Sequence, residues 1–169
     1  FSSYKVYAID LPENLDFAGE RVPIEDPDVY ERLDREFLVN TYWQSNGLLL
    51  LKRANKYFPI IEPILKRNNI PDDFKYLAII ESGLTNAVSP SGASGFWQFM
   101  KNSIGGFNIH IDDWVDERRD PWKTSVAAVK KLKWNYSQFH DWGSFHETKL
   151  EGISPFSQEI YYLCILMIK

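Results

Sequence analysis

Cysteine is almost missing from this chain: Cys164 stands alone, so no internal disulfide can staple the fold, and cysteine usage leaves the redox compartment open. Histidine is scarce as well. His110, His140 and His146 lack the i, i+4 spacing of a helical metal site, and no cysteine or carboxylate set completes one, so neither a metal nor a cofactor is expected. Long apolar runs are absent. Leu48 to Leu51 and Ile160 to Ile168 are too short to cross a bilayer, and no signal peptide is recognisable. A basic excess is lacking too: the net charge is −4, with both signs interspersed, which excludes the positive face that nucleic-acid binding requires. No linker rich in Pro, Gly or Ser divides the 169 residues, enough for one domain with a substantial core. The sequence opens on Phe1, and a processed or trimmed chain is expected.

What is present is aromatic side chains, 15% of residues, and a helical period in most of the chain. Phe1 to Pro23 reads as an extended arm, alternating at Tyr4 to Ile9 and broken at Pro12, Gly19 and Pro23. The organisation expected is therefore an arm over residues 1–25 packed on a mainly α domain over 26–169. Asp26 as N-cap and Pro27 at the first helical position open a helix whose apolar positions are Val29, Leu33, Phe37 and Leu38, ending or bending near Gly47. Leu48 to Phe58 resumes helix with Lys52, Arg53 and Lys56 on one face, and Pro59 and Pro63 bracket the start of another, Ile60 to Arg67. Asp72 or Asp73 then starts a further helix, and Lys101 to Phe107 a short one stopped at Gly105 and Gly106. Asp112 to Pro121 is dense in opposite charges and reads as an ion-pair and capping cluster, in which Arg118 and Arg119 tie down the loop. With Asp120 as N-cap, Trp122 to Phe139 reads as a long helix with Val126, Val129, Leu132 and Lys133 near its buried stripe.

Glu81 is the position that breaks the pattern. Phe74, Leu77, Ala78 and Glu81 fall at i, i+3, i+4 and i+7, so a carboxylate occupies a place where the period calls for an apolar residue. Ser82 and Gly83 stop the helix there, which sets Glu81 near its negative end among Leu77, Ile80 and Leu84. Burial and the dipole both favour the protonated acid, above the ordinary value of roughly 4.3. A carboxyl kept neutral near pH 7 is what glycosidic cleavage needs, because the leaving oxygen must receive a proton. The competing reading is a Glu turned to solvent at a frayed helix end. Ser89 to Gly95 follows as a tight loop of small residues, and Phe96 to Met100 supplies aromatic surface with one amide, Gln98. Sugars bind by stacking on aromatic faces and by hydrogen bonds to such amides. Core packing is the alternative for those rings.

The ordered set E-S-G-L from Glu81, then S-P-x-G-A-S-G-[LF]-W-Q-F-M through Met100, closely resembles the lytic transglycosylases with a goose-lysozyme-like (SLT) catalytic domain. Within them it is most similar to the membrane-bound lytic transglycosylase D subgroup. FAGERVP around Gly19, ERLDREF around Asp34 and VDERRDPWKTSVAAVKKL from Val115 extend the match along most of the chain. The resemblance implies a lysozyme-like helical domain and cleavage of peptidoglycan between N-acetylmuramic acid and N-acetylglucosamine, giving 1,6-anhydro ends. It implies Glu81 as acid and then base, Ser82 orienting the site, and Gln98, Phe99 and Met100 holding the acetamido sugar, with Tyr161 as a further contact. It also implies a monomer in the periplasm, held at the outer membrane by a lipid anchor or served by a cell-wall-binding domain outside this chain.

The likeness departs at two places. The A-Y-N-x-G element of relatives is not found after Gly143, and Ser157 stands where they carry Glu in P-x-E-T-x-x-Y. Three other readings stay open: a hydrolytic goose-type lysozyme, a noncatalytic peptidoglycan-binding protein, and a structural helical domain that binds no glycan.

Overall fold

The computed structural model describes Tyr7, residues 10–140 and Trp142. The fold is mainly helical, as expected. It begins with a hairpin of β1 (Asp16–Phe17) and β2 (Glu20–Arg21), paired antiparallel with Phe17 opposite Glu20. Ala18 and Gly19 turn the corner, both at positive φ, 56° and 82°, the conformation a two-residue hairpin loop needs. Ala18 is held there by its N–H, which donates to Asp73 Oδ2 at 2.8 Å. Leu15, Phe17 and Val22 are buried in the main core, so this stretch is packed on the helices.

Helix α1 (Pro27–Tyr42) starts as the sequence indicates, with the Asp26 carboxylate accepting from the N–H of Asp28 at 2.9 Å. Of its expected apolar positions Leu33 is buried and Val29 and Phe37 pack against the core, but Leu38 does not. Leu38 is 43% exposed, while Glu36 lies inside, its carboxylate accepting from Asn40 Nδ2 at 3.2 Å and paired with Arg35 at 3.5 Å. The chain breaks at Trp43, not near Gly47, and α2 (Gln44–Arg67) then runs without interruption through Gly47, Pro59 and Pro63. The expected division at the prolines is thus corrected. Each proline forfeits one backbone bond, but both lie on the exposed side, and burial of Ile61, Ile64 and Leu65 on the other keeps the helix together.

A 3-10 turn (Asp72–Phe74) leads into α3 (Lys75–Ser82). Neither aspartate caps it through its side chain: Asp72 pairs with Lys75, and Asp73 is taken by Ala18. Lys101 to Phe107 forms successive turns instead of the expected helix, joined by single bonds such as Phe107 N to Ile104 O at 3.2 Å. Two adjacent glycines in so short a segment leave helix too unfavourable to form.

Helix α4 (Pro121–Phe139) packs across α2. Its stripe is Thr124, Ser125, Ala127, Ala128, Val129, Leu132 and Asn135, whereas Lys133 is exposed and donates to Asn68 Oδ1 at 3.0 Å. Asp120 Oδ1 accepts from Lys123 N at 2.9 Å, the N-cap the sequence indicates. Asp120→Ala removes that acceptor and lowers stability by about 1 kcal/mol, measurable as a lower urea midpoint with an unchanged slope. Among the described residues no helix is long and apolar enough to cross a membrane.

Candidate active site

Three pieces of chain meet at Glu81. The first is α3, whose last turn carries it. Gly83 takes the left-handed conformation at φ 60° and donates to Ile79 O at 2.6 Å, which ends the helix at Ser82. The side chain of Glu81 therefore projects from the terminal turn beside Leu77, four residues back. The second piece is the loop from Leu84 to Met100, and the third is the middle of α4. Together they border a partly open cavity of about 20 Å³ lined by Leu77, Glu81, Trp97, Phe99, Ala128, Lys131 and Leu132. That is room for one water molecule.

Within this lining Glu81 is the sole carboxylate. Its Oε1 is sealed from solvent and has no hydrogen-bond partner. Loss of hydration pushes its pKa up to about 7, against a smaller opposing pull from Lys131. A carboxyl in that state is divided between acid and carboxylate near neutral pH, so it can give a proton and take one back. Solvent exposure at a frayed end, the competing reading, does not describe this residue.

Ser82 works on the backbone. Its Oγ lies 3.0 Å from Phe96 O and 3.2 Å from Ala78 O, and it accepts from Thr85 N at 3.3 Å. The hydroxyl thus joins the end of α3 to the loop that walls the cavity.

The loop owes its shape to Arg118. Its guanidinium pairs with Asp116, Nε to Oδ1 at 2.9 Å and Nη2 to Oδ2 at 2.7 Å, and Nη1 reaches Gly92 O at 2.9 Å and Phe99 O at 3.1 Å. One buried cation so holds both arms of the loop, while Arg119 is exposed and has no such role. The hydrogen bonds from Arg118 keep the Asp116 carboxyl below the usual range. Between the arms, Gly95 at φ 80° lies flat against the Arg118 carbonyl, so close that a Cβ on it would fall 1.8 Å from that oxygen.

Gln98 is 7% exposed and sits at φ 44°, and its Nε2 donates to Gly95 O at 2.8 Å and Ala87 O at 3.0 Å. The amide nitrogen is thereby engaged in bracing the loop. The Phe99 carbonyl accepts from Ser94 N at 3.1 Å as well as from Arg118, and the Met100 carbonyl accepts from Ser103 N at 3.2 Å. Phe96, Trp97 and Phe99 are 2%, 4% and 3% exposed, so core packing, not an open stacking platform, accounts for these rings. Trp97 is fixed by its Nε1, which donates to Ser125 Oγ at 3.0 Å, and Phe96 meets Tyr57 edge to face at 4.7 Å. Tyr161 and Cys164 lie outside the described residues, as do the segment after Trp142 and the two departures from the family pattern.

Lys131 is the residue that sequence reasoning passed over. It lies half-buried on α4 with its Nζ 5.8 Å from the centre of the Phe99 ring. Its spacing was a usable signal, since Ala127, Ala128, Lys131 and Leu132 recur at i, i+1, i+4 and i+5. Among the described residues no group of three or more His, Cys, Asp or Glu could hold a metal ion. A family model described as the Transglycosylase SLT domain matches residues 58–148, more than half of the chain. No curated protein matches it.

Proposed function

Because the chain belongs to the transglycosylase SLT domain family, whose members act on peptidoglycan, we propose that it cleaves the bond between N-acetylmuramic acid and N-acetylglucosamine without water, with Glu81 as acid and then base. The observation that carries this reading is the Glu81 carboxyl: shielded, without a hydrogen-bond partner on Oε1, and held near pH 7 by burial. In the first half the carboxyl O–H breaks and the proton passes to the glycosidic oxygen as its bond to C1 of the muramic acid opens. The electron pair of the O–H bond stays on Glu81, and the acetamido oxygen of the sugar supports the cation at C1. In the second half the carboxylate recovers a proton from the C6 hydroxyl, whose oxygen bonds to C1 and closes the 1,6-anhydro ring. One carboxyl suffices, which fits a cavity whose lining holds no second one.

Ser82 sets the turn that carries the acid, Gln98 with the Phe99 and Met100 backbone positions the acetamido sugar, and Tyr161 adds a contact from the C-terminal part. The subgroup is that of membrane-bound lytic transglycosylase D, acting as a periplasmic monomer anchored at the outer membrane. One observation favours a second reading, hydrolysis: the cavity beside Glu81 has room for the single water a lysozyme would use. Mass spectrometry of products from purified sacculi separates the two. Muropeptides lighter by one water than the hydrolytic products are expected. Reducing ends alone would assign a lysozyme, and sacculus binding with no release would leave a binding protein.

A further inference from the structure

We propose that Lys131 is the electrostatic partner of Glu81, a positioning residue whose ammonium, held on α4 against the same cavity, stabilises the charge that the carboxyl acquires whenever its proton leaves. The inference rests on the acid role given to Glu81 above. It starts from an oddity of placement. Six of the seven side chains around the cavity are Glu81, Lys131 and four apolar or aromatic ones from α3, α4 and the loop, with Ala128 the seventh. Lysine at such a position normally lays its stem on apolar surface and carries the ammonium out to water. Lys131 is half-buried instead, with its Nζ over Phe99, and among the described residues it forms no ion pair within 4.0 Å. A partly desolvated cation without a bonded anion is costly. The Phe99 face offsets part of that cost, a negative charge forming nearby offsets more, and the cavity lining has one group able to form it.

The surroundings leave this pair to itself. Glu81 is the titratable group that α3 presents to the cavity and Lys131 the one that α4 presents, and the loop contributes Trp97 and Phe99, which carry no charge. From α2, which also packs on α3, Arg53 is engaged with the Gly83 carbonyl at 3.1 Å. Arg118 is bound to Asp116 and the loop carbonyls. Among the described residues Lys131 is the one charge that acts on Glu81, and Glu81 the one that acts on Lys131. Burial lowers the pKa of Lys131 while Glu81 raises it. In this pairing the ammonium is the fixed charge and the carboxyl the one that changes. When Glu81 protonates the leaving oxygen, the site passes from a neutral acid beside a cation to a carboxylate beside a cation, and it returns when the C6 hydroxyl gives its proton up.

The test is a carbon-13 titration of the Glu81 carboxyl in the full chain, assigned by its absence in Glu81→Gln, for the native protein, Lys131→Met and Lys131→Arg. Methionine keeps the length and removes the charge, and an apolar side chain in this cavity does not oppose folding; Lys131→Gln serves as a second neutral variant. The Glu81 midpoint is expected to rise by about one pH unit in both neutral variants and to stay near the native value with arginine. The alkaline limb of kcat/KM on sacculi should move upward with it, a displacement that loss of packing alone would not produce. A midpoint in Lys131→Met and Lys131→Gln equal to the native one overturns the pairing, even where the native protein cleaves sacculi. Native protein that releases no glycan product while the midpoint still moves counts against the assigned reaction and supports the pairing.

Discussion

Glu81→Gln is expected to lower release of anhydro-muropeptides by roughly a thousandfold, since the amide can neither donate the proton nor recover it and general acid–base catalysis is worth about that much. Binding to sacculi and the far-ultraviolet dichroism should be unchanged, because glutamine fills the same space at the end of α3. Activity within tenfold of native would remove Glu81 from the reaction. The same variant should be the more stable protein at neutral pH. Burial raises the Glu81 pKa from 4.5 to about 7, so between those values the folded chain binds a proton that the unfolded chain has released. Its contribution is fully present below pH 4.5 and is lost as pH rises through 7, on the order of 3 kcal/mol across that interval. Glutamine has no such dependence. Urea unfolding at pH 4.5 and pH 8 should therefore show the variant gaining on the native protein by that amount, and parallel stabilities at the two pH values would contradict the burial of the carboxyl.

Gly95→Ala is expected to produce the largest loss of stability from a single methyl group. The added carbon would fall 1.8 Å from the Arg118 carbonyl oxygen and 2.7 Å from its carbon, backbone atoms that cannot rotate aside, at φ 80°. Relief requires prising the loop off Arg118, and with it the carbonyls of Gly92 and Phe99 that the guanidinium holds. A destabilisation of about 3 kcal/mol or more follows. Gly92→Ala is the control: its φ is 87°, but nothing lies within 4 Å of the added carbon, so backbone strain alone, about 1 kcal/mol, is expected. Thermal unfolding of the two variants should rank them in that order by a wide margin. Equal losses would mean that the contact with Arg118 is not what demands glycine at position 95.

Much of this site was legible because its signals are local. Glu81 on an apolar stripe, the stop at Gly83, and the caps at Asp26 and Asp120 each depend on neighbours within a turn, and each stands where the sequence put it. The failures share the opposite property. Pro59 and Pro63 look like breaks until the long-range burial of Ile61, Ile64 and Leu65 is counted. Lys133 in place of Lys131, and Leu38 in place of Glu36, are errors of which face turns inward, and that depends on the partner across the core. The aromatic cluster read as glycan surface proved to be core, because its hydrophobicity is the same in either use and only the position of Ser125 and Tyr57 decides. Arg118 was expected to tie down its own loop. That it also reaches the loop two dozen residues earlier in the chain had no local mark.

The bond from Ala18 to Asp73 makes the hairpin a handle on the acid. Asp73 and Phe74 immediately precede α3, and Phe74 meets the Phe17 ring edge to face at 5.3 Å, so the hairpin grips the root of the helix through both a hydrogen bond and a ring. From there to Ser82 is eight residues, a rigid rod of about 12 Å. The hairpin thus anchors the end of α3 opposite to the one that carries Glu81, so the carboxyl stands on a helix clamped at its far root.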